Sequence, residues 1–129
     1  MAEQTQALVR RVYELWNSDG VRSIEPFLAE GVEVYDAPEM PDARNWQGRE
    51  AVLARMEDVA ASVGGGWADL REFADHGDKV LVNMVWREDE NAGSPAFAEI
   101  WHVVRVADDR ISSIHVFLDK AAAVADAVA

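Results

Sequence analysis

Apolar positions first recur at helical spacing. Leu8, Val12, Leu15 and Trp16 predict a helix from about Glu3 to Trp16, and Asn17-Ser18-Asp19-Gly20 ends it. Val21, Ile24, Phe27 and Leu28 predict a shorter second helix that stops before Gly31, with Pro26 either near its end or kinking it. Alternation then takes over in Val32-Glu33-Val34-Tyr35-Asp36, and Pro38 and Pro41 punctuate an irregular stretch to about Trp46. Gly48 opens a third helix carrying Val52, Leu53, Met56, Val59, Ala60 and Val63, which Gly64-Gly65-Gly66 ends. From Trp67 the period is two. Residues 67–74, 79–88, 96–106 and 111–118 read as four strands separated by tight turns, which predicts an antiparallel meander. Asp119 has the chemistry of an N-cap for a short alanine-rich last helix.

The first strand carries the clearest chemical signal. Val32, Val34 and Asp36 fall on one side of it, Glu33 and Tyr35 on the other, so the valines mark Asp36 as facing the core. A carboxylate among apolar side chains loses hydration, which disfavours its charged form and makes it a usable proton acceptor or donor. The plainer role for an aspartate before Ala-Pro is to cap backbone amides at the strand end.

Composition narrows the function classes. The 129 residues are half apolar, enough for one domain (1–129) with a sizeable core. Twelve basic against twenty-four acidic residues give a net charge of −12, which repels phosphate backbones and anionic lipid, so neither nucleic acid nor a membrane surface is an expected partner. No cysteine is present to supply a thiolate nucleophile, a metal ligand or a disulfide. The polar N-terminus and the lack of any long apolar run read as a cytoplasmic protein.

Several segments resemble the nuclear-transport-factor-2-like superfamily and, within it, the small SnoaL-like proteins: Val9 to Asn17, Phe27 to Val32, Tyr35-Asp36-Ala37-Pro38, Trp46 to Ala51, and Ile111 to Asp119. The resemblance implies an α+β cone, in which a curved, mostly antiparallel sheet wraps three N-terminal helices and a short helix follows at the C-terminus. It also implies a pocket used for isomerase, cyclase, lyase or purely binding functions. In the similar ketosteroid isomerases, the position of Asp36 is the general base. An oxyanion hole there uses a tyrosine on the first helix and an acid in the penultimate strand. Counting along this chain puts Val12 and Trp101 at those positions, with Tyr13 one residue out of phase. The aspartate that the similar polyketide cyclases and epoxide hydrolases carry in the last strand is Val116 here.

Pairing the last two strands through a two-residue Asp108-Asp109 turn sets Glu99 opposite Leu118, Trp101 opposite Val116 and His102 opposite His115. The resemblance then puts Asn83, Arg87, Glu99, Trp101 and Val116 on the inside. The expected pocket is lined by Trp16, Phe27, Val34, Trp46, Leu53, Met56, Asn83, Arg87, Trp101 and Val116, with Asp36 as base and Glu99 as partner acid. Glu99 has a plainer role too, as the partner of Arg87 or Asn83 in a satisfied interior. On this assignment Val82, Met84, Trp86, Ile100 and Phe117 form an outer face too apolar for water, which a homodimer would bury, with His102 and His115 side by side on it. Two histidines do not make a metal site.

The expected function is cofactor-independent proton transfer on a small hydrophobic, cyclic or polyketide-like molecule, without metal or organic cofactor. The alternatives are a non-catalytic binder of a small hydrophobic ligand and an interaction domain whose cone is filled by its own side chains.

Overall fold

Val9, Val12, Tyr13 and Trp16 lie within one narrow arc of a 3.6-residue helix, and this stripe seats α1 (Ala2–Asp19) against the sheet. The computed structural model describes residues 2–62, 66–91 and 93–129. Leu8 and Leu15 flank the stripe, so the helix is turned further toward Tyr13 than the sequence pattern suggested. Val21, Ile24 and Phe27 stand three apart, and the expected second helix is accordingly a 3-10 helix, Val21–Phe27.

Six strands follow: β1 (Leu28–Tyr35), β2 (Asn45–Gln47), β3 (Trp67–His76), β4 (Lys79–Arg87), β5 (Ala96–Ala107) and β6 (Arg110–Phe117). The helix α2 (Arg49–Ser62) lies between β2 and β3, and α3 (Lys120–Val128) closes the chain. The strand order is β2-β1-β6-β5-β4-β3. Only β1 and β6 run parallel among these neighbours, and the sheet is an open one with β2 and β3 at its edges. Two of the three glycines expected to end α2, Gly64 and Gly65, lie outside the described residues; Gly66 follows with φ +62°.

The β5–β6 turn is Asp108-Asp109 as expected, both residues having positive φ, the requirement of a two-residue hairpin twisted like its strands. Beside that turn the ladder shifts. Ala107 pairs with Arg110 and Val106 with Ile111, but a bulge at Arg105/Val106 moves the register by one, so that His102 pairs with Val116 and Val103 with His115. This corrects the expected Trp101–Val116 and His102–His115 pairs.

The helices pack on the face formed by Val80, Val82, Met84 and Trp86 of β4, Ile100, His102 and Val104 of β5, and Ile114 and Val116 of β6. On β4 and β5 the expected inside and outside are therefore exchanged, while on β6 Val116 faces inward and Phe117 outward as expected. Val82, Met84, Trp86 and Ile100, assigned to a homodimer interface, face inward, which removes the reason given for that dimer. The opposite face carries Leu81, Trp101 and Val103, which pack under Ala123 and Ala127 of α3. Asp119 caps α3 by accepting a 2.9 Å hydrogen bond from the Ala122 amide. No described helix is long and apolar enough to cross a membrane.

Candidate functional site

A cavity of about 150 Å³ lies between the inward sheet face, α1 and α2. Trp16, Val34, Met40, Met56, Met84, Trp86, Ile100 and Val116 make most of its wall, and the exposed apolar side chains of Phe97 and Leu118 also line it. A dry apolar cavity of this volume takes a benzene-sized ring. The Tyr13–His102 pair, Asp36 and Arg55 interrupt the apolar wall, and among the lining residues Arg55 Nε and Trp86 Nε1 are buried without a hydrogen-bond partner among the described residues.

Tyr13 and His102 meet because α1 turns Tyr13 into the core and the register of β5 turns His102 the same way. The tyrosine hydroxyl is 2.6 Å from His102 Nδ1. Burial pushes the imidazole down to about 4 and the phenol upward, so both are neutral at physiological pH. When the hydroxyl donates to Nδ1, the imidazole hydrogen is on Nε2, which has no hydrogen-bond partner among the described residues. A neutral imidazole in that state is a hydrogen-bond donor.

Asp36 sits just beyond β1, its side chain 2% exposed. Its Oδ2 accepts a 2.8 Å hydrogen bond from Trp46 Nε1 and a longer one of 3.4 Å from the Arg44 amide, and it pairs with Arg55 Nη2 at 2.9 Å. The guanidinia of Arg44 and Arg55 lie 4.9 and 5.1 Å from the Trp46 ring centre. A buried carboxylate is costly without compensation, and Arg55 supplies it. The surroundings are thus less apolar than the strand pattern implied. Oδ1 accepts no hydrogen bond from the described residues.

A family model of the SnoaL-like domain matches residues 9–114. The chain belongs to the SnoaL-like family. No curated protein matches it. Among solved structures, this SnoaL-like protein is similar to Bal32a from a soil-derived mobile gene cassette (21% identity, 99% of this chain and 98% of that one, TM-score 0.78). It is also similar to an NTF2-like protein of unknown function from Mesorhizobium loti (21%, 92% and 93%, 0.72). A third is a candidate ketosteroid isomerase from Kribbella flavida (19%, 92% and 80%, 0.73). At these identities the likeness is one of fold.

In the SnoaL-like chain, the residues expected at the pocket fall as follows. Asp36, Trp16, Val34, Met56 and Val116 line the cavity. Phe27 and Leu53 pack in the core, and Trp46 stands behind Asp36 as its hydrogen-bond donor. Glu99 is on the other side of the sheet, exposed, where Asn83 Nδ2 donates to it at 3.3 Å, so it cannot be an acid opposite Asp36. Asn83 shares that outer face. Arg87 is held by Asp69 at 2.9 Å and by the Ser94 carbonyl, away from the cavity lining. Trp101 lies under α3. The bulge and the exchanged faces account for Asn83, Glu99 and Trp101 together.

His102 and His115 project to opposite faces; His115 Nδ1 is 3.2 Å from Asp126, and its ring lies edge-on to Tyr35. No group of three or more His, Cys, Asp or Glu side chains among the described residues is arranged to hold a metal. Sequence reasoning missed Tyr13 and His102 as cavity residues and did not single out Arg55. The signal for Tyr13 was present in the Val9, Val12, Tyr13, Trp16 spacing.

Proposed function

We propose that this SnoaL-like protein catalyses cofactor-independent proton transfer on a small cyclic carbonyl compound, as an isomerase, cyclase or lyase. The observation that carries the reading is a carboxylate with an unused oxygen and a neutral Tyr–His hydrogen-bonding pair on the wall of one otherwise apolar cavity. Asp36 Oδ1 takes a proton from a carbon activated by the carbonyl. The electron pair moves onto the carbonyl oxygen, which the Tyr13–His102 pair holds by hydrogen bonding, and Asp36 returns the proton to another carbon. The helix tyrosine and a group on the penultimate strand thus take the part that the resemblance to ketosteroid isomerases assigns to a tyrosine and an acid, with histidine in place of the acid. The cavity volume favours single-ring substrates over a steroid skeleton.

A non-catalytic binder is the second reading, and the triple engagement of Asp36 Oδ2 favours it, because those contacts also suit a carboxylate that only orients a ligand. Deuterium uptake separates the two. Incubation with a panel of cyclic ketones and enones in heavy water, followed by mass spectrometry, should show exchange with wild type and none above background with Asp36→Asn. Binding without exchange for every ketone supports the binder instead.

A further inference from the structure

The strand register fixes how the two polar ends of the cavity face each other. Tyr35 of β1 pairs with His115 of β6, which sets Asp36, the next residue, beside Val116; Val116 in turn pairs with His102 of β5. Asp36, Val116 and His102 all line the cavity. Asp36 and His102 therefore flank Val116 from two strands apart, about 10 Å at the backbone. Both residues line one cavity with Val116 between them, and its volume holds about one six-membered ring.

The two ends ask for different hydrogen-bonding partners. At the β5 end the neutral pair offers a hydrogen, so it suits an acceptor such as a carbonyl oxygen. At the β1 end Asp36 Oδ1 accepts while the neighbouring Arg55 Nε is a buried donor without a hydrogen-bond partner among the described residues, so this end suits a hydroxyl, which both donates and accepts. Between them the wall is apolar, with Met40, Met56 and Met84 able to adjust to ring substituents. Resting on the proposed function above, we infer that the ligand is a six-membered ring with a carbonyl on one carbon and a hydroxyl on the carbon opposite, the 4-hydroxycyclohexenone class. It lies across Val116 with its carbonyl at Tyr13–His102 and its hydroxyl at Asp36. A neutral ligand suits this cavity because the Asp36–Arg55 pair is already balanced in charge.

Calorimetric titration with three probes tests this: 4-hydroxycyclohex-2-enone, its 4-methoxy ether, and 6-hydroxycyclohex-2-enone, whose hydroxyl adjoins the carbonyl. The 4-hydroxy compound should bind about 10-fold or more tighter than either of the others, as expected for a hydrogen bond to a carboxylate. Tyr13→Phe should weaken all three alike, since it acts at the carbonyl end. Equal binding of the three, binding of none, or a Tyr13→Phe variant that loses only the hydroxyl preference would overturn the inference. Failure of the catalytic reading looks different: the 4-hydroxy preference would hold while no ketone exchanged deuterium.

Discussion

Tyr13 on α1 and His102 on β5, 89 positions apart in sequence, place a hydroxyl and an imidazole nitrogen 2.6 Å from each other in the wall of the cavity. The pair joins the first helix to the centre of the sheet. It is a structural link as well as the donor proposed for a substrate oxygen, and the two roles can be probed separately.

Burial of His102 makes stability depend on pH with a definite sign. The imidazole is held down to about 4 in the folded chain and returns to about 6.5 when unfolded, so the unfolded state binds more protons between those values. Stability is full above pH 6.5 and falls as pH drops, by about 1.4 kcal/mol per unit and about 3 kcal/mol by pH 4. Urea unfolding at pH 7, 6 and 5 should show the decline, and His102→Gln should flatten it. Parallel curves for the two proteins would show that His102 is not the group responsible.

Tyr13→Phe keeps the ring packed against Trp16 and Phe73 but leaves His102 Nδ1 buried without a partner. The expected loss is about 1–3 kcal/mol of unfolding free energy. A variant as stable as wild type would mean that the hydrogen bond contributes little to the fold.

Glu99→Gln should be silent. The side chain is exposed on the far side of the sheet from the cavity, and substitutions of that kind stay within about 0.5 kcal/mol. Ligand binding and exchange should match wild type. A variant that folds and loses either function would restore Glu99 as a partner acid.

Gly66→Ala should be costly for a local reason. Gly66 has φ +62°, and a Cβ there would stand 2.3 Å from Trp86 Nε1. The left-handed backbone and the overpacking against a cavity-lining tryptophan together cost about 2–4 kcal/mol, read as a lower urea midpoint. An unchanged midpoint would show that the Trp86 ring gives way freely.

Most of the element pattern was legible because each change of period lies in the sequence: Leu8, Val12, Leu15 and Trp16 for the first helix, the alternation around Val82 for β4, the Asp119 cap for α3; the three-residue β2 is too short to show a period and falls in the stretch read as irregular. Asp36 facing the core was also readable from Val32 and Val34. The sheet faces were not, for two reasons. The bulge at Arg105/Val106 leaves no turn-like signal, and one extra residue there is enough to change every β5–β6 partner beyond it, from Arg105 back to Trp101. The second reason is that the resemblance to ketosteroid isomerases and the simpler rule that the more apolar face goes inside point to opposite faces of β4 and β5. Val80, Val82, Met84 and Trp86 would have chosen the correct face, and His102 would have come with them. Arg55 was hidden differently: a lone arginine between Leu53 and Met56 gives no sign that it turns toward Asp36 until the helix is placed.

In the proposed reaction Asp36 and the Tyr13–His102 pair act on one molecule from two ends of one cavity. Deuterium exchange into a single-ring enone should be timed by NMR for wild type, Asp36→Asn, Tyr13→Phe and Glu99→Gln. The expected result is a loss of about 100-fold or more for Asp36→Asn and a clear fall, about 10- to 1,000-fold, for Tyr13→Phe, with Glu99→Gln unchanged. Exchange that survives Asp36→Asn, or that depends on Glu99 and not on Tyr13, would contradict it.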